Sequence, residues 1–152
     1  MAKNVEIKVT ENTRLKKKIY GKQPSLIIGV LEPESDIQYL GKDVTVGQVA
    51  LWNHQGTASI PARPFLTIYV NENRDKITKQ FSAAMARVTF AGEDERKALG
   101  KLGKAYTKGI QTRIRKNILP KNKESTLRHK EGSTPLIDTQ VLLNSISWDI
   151  EK

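Results

Sequence analysis

Alternating and continuous runs of hydrophobic residues predict three strands. Residues 5–9 (Val-Glu-Ile-Lys-Val) and 145–150 (Ser-Ile-Ser-Trp-Asp-Ile) alternate hydrophobic and polar positions, which is typical of half-buried strands. Residues 25–31 form a short apolar run bounded by Pro24 and Pro33, which favours a more deeply buried strand over a helix.

A short helix is predicted between these strands, from about Val46 to Gln55. Thr45 is a suitable N-cap with Gln48 three residues later, and Gly56 is a helix-stop residue. This pattern is a capping box followed by a glycine C-terminus.

The first long helix is predicted after Pro64, which we place at its first helical position. Asn71 or Asn73 is expected to interrupt the helix near its start, and residues 92–94 to end it. Hydrophobic residues then recur every three or four positions, at Ile77, Phe81, Ala84, Met85 and Val88.

A second long helix is predicted to begin near Glu93, with acids in its first turn as the helix dipole favours. Its apolar stripe comprises Leu99, Leu102, Tyr106, Ile110 and Ile114. The opposite side forms a basic face, which we define as Lys97, Lys101, Lys104, Lys108 and Arg115.

Two features of this second helix indicate contacts with other parts of the chain. Gly100, Gly103 and Gly109 each cost about 1 kcal/mol relative to alanine in a helix, so they indicate close approach by another element. Arg113 falls on the apolar side and needs a partner or an exit to solvent.

Residues 117–134 are polar, contain Pro120 and carry no hydrophobic pattern. They predict a long, exposed basic loop, of the kind that is functional or becomes ordered on binding. After it, Asp138 or Thr139 is expected to cap a short helix through Leu143.

These elements predict one domain over residues 1–152 with an α+β fold, in which a small, mostly antiparallel sheet packs against two long helices. Charge is uneven along it. Residues 101–130 carry ten Lys/Arg and one acid (+9), residues 1–23 carry seven and two (+5), and the whole chain carries +10. Such a distribution suggests a polyanion or acidic protein surfaces as partner.

Residues 60–66 (Ile-Pro-Ala-Arg-Pro-Phe-Leu) are the most constrained stretch, and we call them the proline strut. Pro61 and Pro64 fix the backbone on either side of Arg63 and exclude helix interior. The strut acts either as a rigid connector into the helix starting near Phe65 or as a contact site presenting Arg63.

No catalytic, cofactor or metal constellation is recognisable, so we expect no enzyme activity and no cofactor. The chain has no cysteine and two histidines. His54 lies near a helix end, where a cationic or capping role is favoured over general-base work. No apolar run approaches the roughly 20 residues that cross a membrane, and no signal-peptide pattern begins the chain.

Five segments in order resemble one known family, the tailed-bacteriophage neck and tail-completion (virion morphogenesis) proteins. They are residues 45–56 (Thr-Val-Gly-Gln-Val-Ala-Leu-Trp-Asn-His-Gln-Gly), the proline strut, 99–103 (Leu-Gly-Lys-Leu-Gly), 125–130 (Ser-Thr-Leu-Arg-His-Lys) and 135–139 (Pro-Leu-Ile-Asp-Thr). The resemblance covers roughly residues 25–150. The chain departs from it at residues 53–56 and at Gln140, where a glycine often follows Asp-Thr.

The resemblance implies a structural virion protein, assembled in the host cytoplasm, whose copies form a ring at the head–tail junction. Its implied partners are further copies of itself, the head connector or adaptor, and tail-terminator or tail-tube proteins. Two alternatives stay open: a tail-terminator ring, or a basic protein that contacts DNA non-specifically in the neck channel.

On that reading, Arg63 contacts either a neighbouring subunit or a carboxylate such as Asp138 of its own chain. The basic loop is expected to become ordered on assembly, against acidic protein surfaces. The interface candidates are Pro61, Arg63, Pro64, Phe65, Lys116, Lys121, Lys123, Arg128, Lys130 and Asp138, with the basic face beside them.

Overall fold

The structure is a computed structural model that describes residues 6–9, 24–39, 43–116, 120 and 140–151. Three strands, β1 (Glu6–Val9), β2 (Ser25–Val30) and β3 (Ile146–Glu151), form one sheet. The four α-helices of the described residues are α1 (Val46–Gln55), α2 (Phe65–Ala91), α3 (Glu95–Arg115) and α4 (Val141–Asn144). The α+β fold predicted from the sequence is confirmed.

The sheet is antiparallel, with β2 in the centre between β1 and β3. Val30 lies opposite Ile146, so this pairing joins two strands that are far apart in the sequence. β2 is buried from Leu26 to Val30, as its continuous apolar run predicts.

α1 begins where its capping box predicts. Thr45 Oγ1 accepts a hydrogen bond from Gln48 N at 3.2 Å, and Gln48 Oε1 accepts one from Thr45 N at 2.9 Å. The helix ends at Gly56, whose φ of 81° suits glycine. Both predicted boundaries of this helix are confirmed.

α2 and α3 form a hairpin whose inner surfaces, together with the sheet, build the core. The buried side chains include Phe65, Leu66 and Phe81 of α2 and Leu99, Tyr106 and Ile110 of α3. The predicted apolar stripes therefore face inward. Gly100 and Gly103 lie against the ring of Trp148 and Gly109 lies against Tyr69, which confirms that the α3 glycines permit close approach.

Four predictions at helix ends and starts were wrong. Pro64 is the N-cap of α2 rather than its first residue, because its ψ of 66° is not helical. α2 continues through Asn71 and Asn73, since the Asn73 side chain bonds the Tyr69 carbonyl oxygen within the helix at 2.9 Å. α3 begins at Glu95, two residues after the predicted start near Glu93. Asp94 is its N-cap, since its side chain accepts a hydrogen bond from Lys97 N at 2.8 Å. α4 follows Gln140 rather than a capping Asp138 or Thr139.

Candidate functional site

Arg63 of the proline strut is buried, with 4% of its surface exposed. Its Nε donates a hydrogen bond of 2.8 Å to the carbonyl oxygen of Pro120, and its backbone N donates one of 2.7 Å to the Asn53 carbonyl oxygen at the end of α1. Burial lowers the pKa of the guanidinium. The strut therefore holds Arg63 inward, which favours the internal brace over a contact with another subunit.

The neighbouring strut residues have mixed positions. Pro61 and Pro64 are half-buried, whereas Phe65 is fully buried in the core. Phe65 also meets the ring of His54 edge-on, with ring centroids 5.3 Å apart and planes at 85°. Phe65 is thus a core residue in this chain, with no surface left for another subunit.

His54 is packed rather than cationic. Burial lowers its pKa, its Nε2 lies 3.4 Å from Thr67 Oγ1, and its Nδ1 is buried with no partner among the described residues. Of the expected cationic or capping role, the cationic part is disfavoured, because desolvation disfavours the charged imidazole.

The basic face of α3 is on the surface, as predicted. All five of its residues, Lys97, Lys101, Lys104, Lys108 and Arg115, are exposed. Lys101 Nζ bonds Glu93 at 2.6 Å. Lys116, which caps the helix, is exposed beside this face.

The expected partner of Arg113 is Glu72 of α2. Arg113 Nε and Nη2 donate to the two carboxylate oxygens at 2.7 and 2.8 Å. The Arg113 hydrogen bonds lower the pKa of Glu72, and the same pairing raises the pKa of Arg113. This bidentate pair ties α2 to α3 at the end of the hairpin remote from its turn.

Beside this pair lies a cleft between α2 and α3 with a volume of about 510 Å³. We call it the cationic cleft. Its walls carry four basic side chains and one acidic one, together with neutral groups that include Tyr69, Asn73 and Thr112. The charged members are Lys76, Lys108, Arg113, Lys116 and Glu72.

The turn between α2 and α3 presents an exposed aromatic residue, Phe90, with 87% of its surface accessible. Glu93 fixes the turn, because its carboxylate binds Arg87 Nε at 2.8 Å and Lys101 Nζ at 2.6 Å. These hydrogen bonds, that from Lys101 first, lower the pKa of Glu93 to about 2. Phe90 therefore lies exposed near the end of α2, next to a turn that two ion pairs hold.

A second concave surface lies on the sheet side of the molecule, and we call it the acidic groove. It has a volume of about 480 Å³ and apolar walls from Ile27, Leu31, Pro33 and Trp148. Its charged members are all acidic, namely Glu32, Glu34, Asp149 and Glu151. None of the residues that line it belongs to α2 or α3.

Neither concave surface was predicted from the sequence, although parts of each were visible. Glu32 and Glu34 of the acidic groove and Lys76 of the cationic cleft belong to no motif described from the sequence. Five predicted interface residues, Lys121, Lys123, Arg128, Lys130 and Asp138, lie outside the described residues, as does all of the basic loop except Pro120.

Within the described residues, no group of three His, Asp or Glu side chains is placed to hold a metal ion. No helix among them combines the length and apolar character that crossing a membrane requires. The candidate sites in the described part of the chain are the cationic cleft with the basic face, the acidic groove and the exposed Phe90. No protein-family model, curated protein or solved structure matches the chain.

Proposed function

We propose that this chain is a structural subunit of a tailed-bacteriophage virion. Its copies assemble as a ring at the neck, where the ring completes the tail or joins it to the head connector. The order of five sequence segments supports the proposal, and the small α+β fold agrees with the fold that the resemblance implies. The chain acts by assembly and carries out no reaction.

The observation that carries the proposal is that one subunit presents two different surfaces of complementary chemistry. The end of α2 presents Phe90, 87% exposed, three residues after Arg87 and next to the turn that Glu93 holds. The acidic groove presents a mainly polar surface, in which four carboxylates lie beside a smaller apolar area that includes Trp148. An exposed aromatic side chain one helical turn from Arg87 suits a groove with both apolar and acidic groups.

These surfaces suit a contact between copies. Phe90 is too exposed to fill the groove of its own chain, and the groove lies on elements other than the hairpin. When the two sides of an interface are different surfaces of one protein, each added copy leaves a new free surface, and the assembly closes as a ring when the rotation between neighbouring copies closes. Buried aromatic anchors surrounded by polar rims are the usual source of affinity at such interfaces.

The proposal also accounts for the interior position of Arg63. A guanidinium that fixes the strut to Pro120 from inside the chain stabilises the subunit and leaves the lateral surfaces to other residues. Its part in assembly is then indirect.

The test is the mass and negative-stain image of the purified chain, alone and mixed with phage tails that lack a neck. We expect rings of uniform diameter in solution or on the tail ends, and no rings from a Phe90→Ser variant. Phe90→Ser removes only an exposed side chain, so its thermal unfolding should match that of the unchanged protein. A chain that stays monomeric under both conditions contradicts the proposal.

A tail-terminator ring remains the nearest alternative. The position of the ring on particles distinguishes the two. A tail-terminator ring lies on the ends of tails without heads, whereas a neck ring is also found on isolated heads that carry the connector.

A further inference from the structure

The cationic cleft and the basic face form one continuous surface, because Lys108 belongs to both. The cleft adds Lys76, from α2, and Arg113 and Lys116, from the end of α3, to the cations on the outer side of α3. Basic side chains from two helices are thereby gathered on one side of the hairpin.

The acid inside the cleft is already neutralised. Glu72 accepts both hydrogen bonds from Arg113, at 2.7 and 2.8 Å, and this pairing lowers its pKa. Three exposed lysines, Lys76, Lys108 and Lys116, then give the cleft its net positive charge. Their ammonium groups are flexible donors of the type that binds phosphate as point charges.

The dimensions of this surface suit a polymer. From Lys97 to Arg115 the basic face extends over eighteen helical residues, or about 27 Å at 1.5 Å per residue. That is about eight steps of one nucleic-acid strand at 3.4 Å each. A single small anion would occupy the cleft alone and leave the basic face unused.

The composition favours nucleic acid over an acidic protein. Protein interfaces have cores with apolar or aromatic anchors and few charges, whereas nucleic-acid interfaces are much more polar and positive. Ile37, Trp52 and Phe90 are the large apolar side chains exposed among the described residues, and none of them lines the cleft or belongs to the basic face.

We propose that the cationic cleft is a phosphate-binding site for the backbone of nucleic acid, with the basic face as its continuation. No exposed aromatic side chain is available there for stacking on bases, so binding is independent of sequence. This site stands on the geometry of the hairpin and does not depend on ring formation.

The experiment measures binding to a fluorescent DNA duplex, long enough to span the basic face, as salt rises from about 50 to 200 mM. The cleft variant is Lys76→Gln/Lys108→Gln/Lys116→Gln. The matched control is Arg74→Gln/Lys79→Gln/Arg96→Gln, which removes three exposed cations that neither line the cleft nor belong to the basic face. Both variants lose the same net charge, and circular dichroism checks that both are folded.

Each phosphate contact contributes about 0.9 to the slope of log K against log salt, so the cleft variant should lose about 3 from that slope. The control should lose less than about 1. AT-rich and GC-rich duplexes should bind alike.

If the slope of log K against log salt falls equally in the two variants, the proposed site is wrong. It is also wrong if the unchanged protein does not bind DNA at low salt. Polyglutamate is the acidic-protein probe. If it binds as tightly as DNA at equal charge and is equally sensitive to the cleft variant, the surface is a protein-binding one. Ring formation is measured separately, from the mass of the assemblies that the same variants form on phage tails. Failure of the DNA-binding proposal and failure of the ring proposal are therefore distinguishable.

Discussion

Arg63 and Pro120, 57 positions apart in the chain, are joined by a hydrogen bond of 2.8 Å from Nε to the carbonyl oxygen. This bond connects the strut that precedes α2 to the segment that follows α3. Arg63 is 4% exposed whereas Pro120 is exposed, so the bond joins a buried guanidinium to a carbonyl group of a surface residue.

Replacing Arg63 by alanine should lower the free energy of unfolding by about 1.5–3 kcal/mol, the usual value of a hydrogen bond to a charged group. Urea denaturation measures it. Arg74→Ala, which removes an exposed arginine of α2, is the control and should change stability by less than about 0.5 kcal/mol. An Arg63→Ala chain that is fully stable but does not assemble would instead place Arg63 at an interface between subunits.

The turn of the hairpin should be sensitive to acid through Glu93. Its pKa is lowered from 4.5 in the unfolded chain to about 2 in the folded one, because Lys101 and Arg87 bind its charged form. The stability from these bonds is therefore complete above pH 4.5 and is lost as pH falls through about 2.

Urea denaturation of the unchanged protein and of Glu93→Gln at a series of pH values checks this. The unchanged protein should be the more stable of the two at neutral pH, and the two should converge toward pH 2. A difference that is as large at the acid end as at neutral pH would show that the ion pairs are not its source.

Gly103 should resist substitution because of Trp148. A Cβ at residue 103 would lie 2.5 Å from Cδ2 and 2.7 Å from Cγ of that indole. Gly103→Ala should therefore lower the free energy of unfolding by about 1–3 kcal/mol through overpacking. The gain in helix propensity, about 1 kcal/mol, offsets part of that.

The matched background is Trp148→Val, in which the indole is absent. There the same Gly103→Ala change should stabilise the chain by up to about 1 kcal/mol, since only the helix propensity remains. Thermal or urea unfolding of the four proteins gives this double-mutant cycle. If alanine has the same effect in both backgrounds, the contact with Trp148 does not explain the glycine.

Tyr106 should make the fold sensitive to alkali. Burial, with a smaller contribution from Tyr69, raises its pKa to about 12, and its hydroxyl donates to the Ile77 carbonyl oxygen at 3.3 Å. The folded chain keeps the phenol proton longer than the unfolded chain, so stability should fall as pH rises from 10 toward 12. Tyr106→Phe should remove this alkaline loss of stability. At neutral pH it should lower the free energy of unfolding by about 1 kcal/mol, because the hydrogen bond to Ile77 is absent. An equally steep alkaline loss in Tyr106→Phe would contradict it.

The sequence predicted the features that depend on neighbours in the chain. The capping box at Thr45 and Gln48 predicted the start of α1 and Gly56 predicted its end. The spacing of hydrophobic residues predicted the inner side of α3. The α3 glycines correctly indicated close approach, because a glycine inside a helix has a cost that needs a reason. Their partners, Trp148 and Tyr69, could not be predicted, since they depend on how distant elements pack.

The two concave surfaces were missed for the same reason. The acidic groove exists because the pairing of β2 with β3 brings residues near Leu31 beside residues near Trp148. The cationic cleft exists because α2 and α3 pack as a hairpin, which brings Lys76 close to Lys116. For Phe90 a signal was present: at 100° per residue it lies on the side of α2 opposite the apolar stripe.

The central claim, that the hairpin turn of one copy occupies the acidic groove of the next, can be tested by cysteine cross-linking, since the chain has no cysteine of its own. Ala91→Cys, at an exposed residue next to Phe90 that leaves the ring in place, and Glu34→Cys are made as separate proteins, mixed at a concentration at which the unchanged chain forms rings, and oxidised. The control pairs Lys79→Cys, on the exposed surface of α2, with Glu34→Cys.

Mass spectrometry of the cross-linked species is the deciding measurement. We predict a disulfide-linked heterodimer from the Ala91→Cys and Glu34→Cys mixture and little from the control mixture. Equal cross-linking in the two mixtures, or none with Ala91→Cys while rings are present, would contradict the head-to-tail contact.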